Sequence, residues 1–238
     1  MNKYLKIMWI ITLLCVLGTF AMLSIMPDSV PMHYDISGNV DRWGSKYENL
    51  IFPGIIIVTN FVFHGAYFIY SKKTKDCEGR LEGAEAASNA SVMSLIGFIL
   101  SILFTIIQGC ILYAAYKGAL KNATVAQIDI MRVSIILIGI FTIVSGNYMT
   151  KVRMNSLLGF RTVWSMYNQN TWRKSNRFGG FSMVISGFLI VIIGIVIQNS
   201  QSIFLYSMCI IGIDVIAVSI YSNKVYRQEI EAGGKPLR

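Results

Sequence analysis

Five stretches of the chain, residues 7–27, 49–71, 86–116, 133–150 and 178–213, contain no charged residue. A helix needs about 20 apolar residues to cross the hydrocarbon of a bilayer. The last stretch is too long for one crossing, and Gln198-Asn199-Ser200-Gln201-Ser202 divides it. Six spans follow, at about 5–26, 51–70, 92–116, 131–149, 181–198 and 203–222. Lipid offers no hydrogen bonds to a backbone, so each span must satisfy its own amides as a helix. Composition agrees, with 54% hydrophobic and 14% charged residues and a mean hydropathy of +0.57. The first run is longer than a signal-peptide core and ends without an Ala-x-Ala site, so it reads as a retained helix.

The net charge of +9 would suit a nucleic-acid binder, but its distribution points to a membrane. Of the 21 Lys and Arg, only Arg42, Lys46, Lys117, Lys121 and Arg132 fall in the segments after spans one, three and five. By the positive-inside rule those segments lie outside and both termini are cytoplasmic, at the plasma membrane. The basic excess then meets anionic lipid headgroups, and direct nucleic-acid binding is not expected. Cys15, Cys110 and Cys209 lie in spans and Cys77 in an inner loop. This is neither a disulfide framework nor a metal-ligand spacing.

The chain divides into a two-helix unit at 1–70 with a structured outer loop at 27–50, helices three and four at 71–150, a polar inner loop with helices five and six at 151–222, and a solvated, frayed tail at 223–238. Charges at 71–80 give way to small residues around Ala84–Ala90, so the third helix starts early. A long outer loop after span one and a long inner loop after span four would suit a three-plus-three inverted repeat.

In the outer loop Val30, Met32, Tyr34 and Ile36 alternate with Pro31, His33, Asp35 and Ser37, the period of a strand. Ser37-Gly38-Asn39 marks a turn, and Val40 to Trp43 can return as a second strand. A lone hairpin is marginal in water, so this one should pack on helix ends or other loops. His33 and Asp35 would share a face, either as hydrogen-bonding loop groups or as a weak metal candidate at His33. Trp43 reads as an interface anchor. In the inner loop Trp164, Asn168, Trp172 and Asn176 recur every four residues, one stripe of a helix, with Arg173 and Arg177 beside it. Such a segment suits an amphipathic helix lying at the inner interface, or a docking surface or gate.

The outer pattern Pro31-x-His33, Gly38, Asp41-x-Trp43-Gly44-Ser45-Lys46 resembles the loop of a small membrane domain without assigned chemistry, found in bacterial multi-span proteins. The inner pattern Gly159-x-Arg161-Thr162, Asn168, Trp172, Arg177, Gly179 resembles the signature of the SdpI-type immunity protein family. Relatives are expected to carry Thr at 165 and His at 176, where this chain has Ser165 and Asn176. The resemblance implies a six-span membrane protein that protects against a secreted membrane-active peptide and holds a cytoplasmic transcriptional repressor at the membrane when that toxin is present. The outer residues Pro31, His33, Asp35, Gly38, Asp41, Trp43 and Lys46 would sense the peptide. The inner residues Gly159, Arg161, Thr162, Asn168, Trp172, Arg173 and Arg177 would couple to the partner.

Asp214 is the sole acid inside a span, and an ionisable group there usually faces the protein interior or water. His64, Gln108 and Asn147 are its candidate partners. It reads as a helix-binding hydrogen bond or as the proton or ion site of a transporter, the second function to weigh. Gly97, Gly109, Gly139, Gly146, Gly187, Gly194 and Gly212 suit close helix packing. An enzyme is disfavoured: there is no His-Glu-x-x-His, no nucleophile elbow, and His33 and His64 are the only histidines. No catalytic residue and no cofactor is expected.

Overall fold

A computed structural model describes residues 2–35, 38–150, 154, 157 and 159–236. Ile36 and Ser37 of the expected strand and turn, and Asn155 at the start of the inner polar block, lie outside the described residues. The elements are α1 (Lys3–Ile25), β1 (Ser29–Tyr34), β2 (Val40–Ser45), a 3₁₀ turn (Lys46–Leu50), α2 (Ile51–Asp76), α3 (Leu81–Leu120), α4 (Ile130–Met149), α5 (Gln169–Val196) and α6 (Ser200–Glu231). Six of these helices are long and apolar enough to cross a membrane. All six expected spans lie within them or overrun them by one or two residues, and α2, α3, α5 and α6 extend further into polar sequence. The third helix does start early, at Leu81.

The ends of the elements follow from local chemistry. Pro27 cannot continue α1, and Met26 before it is extended, as a pre-proline residue prefers. Ser45 and Glu48 form a reciprocal capping box on the 3₁₀ turn that leads into α2. Asn199 caps α6, its side chain accepting from the Ser202 amide.

The chain forms two compact units, residues 1–68 with 93–134 and residues 69–92 with 135–238. In the first, α1 buries Leu5, Met8, Thr12, Cys15, Thr19 and Leu23. Their three-and-four spacing is a heptad seam, while Ile10, Leu13, Leu14, Leu17 and Phe20 are exposed. The buried seam mixes Leu and Met with the small or polar Thr12, Cys15 and Thr19, whereas these exposed residues are large and apolar, as expected where lipid is the solvent. Asn60 of α2 is the knot of this unit. It donates to Thr12 of α1 and accepts from the Ser101 hydroxyl of α3 at 2.8 Å. Higher up, Gln108 of α3 donates to Thr19 at 3.3 Å and to the Asn49 carbonyl at 3.0 Å.

In the second unit α4 and α5 meet through paired glycines. A Cβ on Gly146 would stand 2.6 Å from the Gly180 carbonyl, and one on Gly187 would stand 2.7 Å from the Gly139 carbonyl. Seven residues separate the glycines on each helix, which repeats the contact two turns along. Gly97 and Gly194 are closely packed as well, but Gly109 and Gly212 have no neighbour within 4 Å, so the packing role expected for those two is not seen. Replacing Gly146 with Val should cost about 1–3 kcal/mol through overpacking against α5, whereas Gly212→Val should be near neutral. Thermal unfolding in detergent should separate the two.

Candidate functional site

Each unit carries one polar construction. At the first, β1 and β2 pair antiparallel with Ser29 opposite Ser45 and Pro31 opposite Trp43. The register slips around His33, which lies opposite Arg42. Its Nδ1 is 2.6 Å from the Asp41 carboxylate. The partner of His33 is thus Asp41 and not Asp35. Asp35 instead closes the hairpin tip, accepting from the Asn39 amide at 2.8 Å and the Asn39 side chain at 2.9 Å, with Gly38 at φ +84°. Among the described residues no group of three His, Cys, Asp or Glu could hold a metal ion.

The hairpin is anchored, as its size demands. Val30 is buried with Leu23, Met26, Leu112 and Ala115. Pro31 covers Gly118, where a Cβ would come within 2.8 Å of its ring. Lys46, only 13% exposed, pairs with Asp28 at 3.0 Å and donates to the Met26 carbonyl at 3.2 Å, tying the end of β2 to the end of α1. Arg42 donates to Glu48 at 2.9 Å, and that hydrogen bond raises its pKa above the ordinary guanidinium value. The loop after α3 completes the layer: Val40 donates to the Thr124 carbonyl and Ala126 to the Gly38 carbonyl. Trp43 is 40% exposed.

The second construction precedes and opens α5. Ser165, fully buried, holds the loop by donating to the Phe160 carbonyl at 2.6 Å and the Thr162 carbonyl at 3.1 Å. It also accepts from the Thr162 amide, and Thr162 Oγ1 accepts from the Ser165 amide. Asn168 is the N-cap of α5, its side chain accepting from the Asn170 and Thr171 amides while Thr171 returns the bond. The four-residue stripe is therefore not a separate interfacial helix. Trp164 precedes the cap, while Trp172 and Asn176 occupy the first two turns of α5 itself, both 2% exposed.

Asn176 accepts from the Phe160 amide at 2.8 Å and donates to the Trp172 carbonyl, a structural role that needs no titratable group. Gly159 lies at φ +135°, and a Cβ there would meet both Asn176 and the Trp172 ring within 2.6 Å. A Cβ on Gly179 would strike Phe160 at 2.5 Å. The signature glycines are thus spaces into which signature side chains fit. Arg161, Arg173 and Arg177 are exposed.

The tail after α6 is held, contrary to the frayed end expected from its composition. Asn168 donates to Glu229 at 3.0 Å and to the Lys235 carbonyl at 3.3 Å. Asn170 also donates to Glu229, and Tyr167 donates to the Gly234 carbonyl at 2.9 Å. Sequence reasoning gave no role to Ser165, Thr171 or Glu229; of these, Asn168-x-x-Thr171 carried a readable capping signal.

The polar residues expected around Asp214 are engaged elsewhere. His64 accepts from the Trp9 indole at 3.0 Å, Gln108 serves Thr19 and Asn49, and Asn147 is exposed. Asp214 itself, 7% exposed, accepts from Ser182 of α5, a residue the sequence reading did not single out.

These features define a multi-pass α-helical membrane protein with a hairpin after its first span and a locked polar loop before its fifth. Residues 151–222 match the SdpI/YfhL protein family, and residues 10–57 match a domain of unknown function, DUF1648. These matches support an SdpI-type family assignment over the segments they cover. The immunity protein SdpI of Bacillus subtilis (strain 168) is 38% identical over 56 residues, a match that spans 24% of this chain and 27% of that relative. No solved structure matches.

If the Asn168–Glu229 contact couples the α5 cap to the end of α6, the two residues should act as one. Asn168→Ala should cost about 1 kcal/mol, the usual loss for a cap. Combined with Glu229→Ala it should cost less than the sum of the single changes. A double-mutant cycle on detergent unfolding midpoints checks this.

Proposed function

We propose that the protein is a membrane immunity and signalling protein that confers resistance to a secreted membrane-active peptide and relays its presence to a cytoplasmic partner, by chemistry other than catalysis. The observation that carries this is the locked loop at 159–180, whose matched positions build one interlocked structure. Gly159 makes room for Trp172, Asn176 holds Phe160, Asn168 caps α5 and grips α6, and Val163 is left 86% exposed. Rigid backbone beneath an exposed apolar tip and Arg161 suits a docking surface, and a transcriptional repressor is the partner class that the family resemblance brings. On the proposed topology the hairpin, with exposed His33, Asp41 and Arg42, faces the exterior, where a peptide would be met. SdpI of B. subtilis is described as an immunity protein, and this chain takes that role here as a proposal.

Expression in a sensitive bacterial host should raise tolerance to the cognate membrane-active peptide, and Gly159→Val should abolish that gain. Survival curves with quantified membrane protein test this. Unchanged killing across a panel of secreted peptides, with the protein present at normal levels, argues against the immunity reading.

One observation favours a transporter instead: the buried Asp214 and its Ser182 partner link α5 to α6 within the bilayer. On that reading Asp214→Asn should eliminate proton- or ion-coupled uptake in vesicles while expression persists. On the immunity reading the same variant keeps the hydrogen bond between the helices and leaves tolerance intact.

A further inference from the structure

The basic side chains at the start of α5 surround a cleft. Among the described residues it is lined by Thr150, Arg173, Lys174 and Arg177, with a volume of about 550 Å³. Three cations within five residues repel one another, a cost that a helix ordinarily offsets with acids at neighbouring positions. None is near in sequence: residues 130–213 contain no Asp or Glu. Glu229 lies within electrostatic reach of Lys174, but its carboxylate is engaged by Asn168 and Asn170. Arg173 and Arg177 therefore carry most of the unbalanced charge, one turn apart on one face.

That same face continues as a lipid-like surface. Arg173, Arg177, Phe181, Ile185, Phe188 and Ile192 follow at spacings of three and four, and all are exposed. A cationic head thus leads straight into an apolar track on a single helix stripe. With a rise of 1.5 Å per residue, Arg177 stands about 6 Å and Arg173 about 12 Å before Phe181, the depth at which headgroup phosphates meet acyl chains. Guanidinium groups bind phosphate oxygens in a bidentate manner, so the two arginines supply the donors; the Thr150 hydroxyl is already donated to the Asn147 carbonyl at 2.9 Å.

We infer that this cleft binds the phosphate headgroup of one anionic phospholipid, its acyl chain lying along Phe181, Ile185 and Phe188. The site goes beyond the immunity reading and does not rest on it. It removes Arg173 and Arg177 from the surface available to a cytoplasmic partner and leaves Arg161 and Val163 for that contact.

The test is native mass spectrometry of the full-length protein in detergent, titrated with phosphatidylglycerol or phosphatidylcholine. One phosphatidylglycerol should be retained per chain in preference to phosphatidylcholine. Arg173→Gln with Arg177→Gln should weaken retention about thirtyfold, at roughly fivefold per basic residue near an anionic surface. The control pair Lys224→Gln with Arg227→Gln should leave it unchanged. If the first pair unfolds the protein, Lys174→Gln alone should still lower retention severalfold.

Equal retention of the two lipids, or equal loss in the control pair, overturns the proposal. Displacement of bound phosphatidylglycerol by millimolar inorganic phosphate alone would assign the cleft to a free anion and overturn the lipid source. Because no toxin or partner enters the measurement, its failure would be distinguishable from failure of the immunity reading.

Discussion

The structure depends first on the rule that a polar group buried in hydrocarbon must find its partner inside the protein. In the first unit Asn60 meets that rule for three helices at once, accepting from Ser101 and donating to Thr12. In the second, Asp214 and Ser182 do so for two. Association between apolar helices gains little from the hydrophobic effect when lipid is the alternative neighbour. Registration then falls to these few hydrogen bonds and to the close backbone contacts at Gly139, Gly146, Gly180 and Gly187.

The same rule shapes the polar ends. A two-stranded hairpin has too little core to stand alone, and this one borrows its core from the ends of α1 and α3 through Val30 and Pro31. Lys46 secures it below, and the loop after α3 extends it at the tip. The inner loop is equally closed. Ser165, Asn168, Thr171 and Asn176 direct their hydrogen bonds at nearby backbone groups, which fixes the path of a segment that has little regular structure of its own. Each polar end is thus built onto the helices of its own unit, the hairpin on α1 and α3 and the inner loop on α5 and α6.

The helices were legible in the sequence because a charge-free run of about 20 residues has one stable solution in lipid. The hairpin was legible because alternation at Val30–Tyr34 and the Gly38-Asn39 turn leave little else. What escaped was pairing. Periodicity says which face of α6 carries Asp214 but not which helix lies opposite, so Ser182, 32 positions away, could not be named. Alternation puts His33 and Asp35 on one face, but the contact of His33 with Asp41 crosses the hairpin at a register slip that alternation does not show. Trp164, Asn168, Trp172 and Asn176 fit one helical stripe by spacing, but the Asn168-x-x-Thr171 cap sets the start of α5 in the middle of that stripe. The tail looked solvated from Gly233-Gly234-Lys235, yet backbone carbonyls need no side chain to be gripped, and Tyr167 and Asn168 hold two of them.

On the proposed topology the hairpin faces the exterior and the loop at 159–168 the cytoplasm. Single cysteines placed at His33 and at Arg161, in a variant lacking Cys15, Cys77, Cys110 and Cys209, can be labelled in intact cells with a membrane-impermeant maleimide. The account predicts labelling at position 33 without permeabilisation and at position 161 only after it. Labelling of both positions in intact cells, or of neither until permeabilisation, would contradict it.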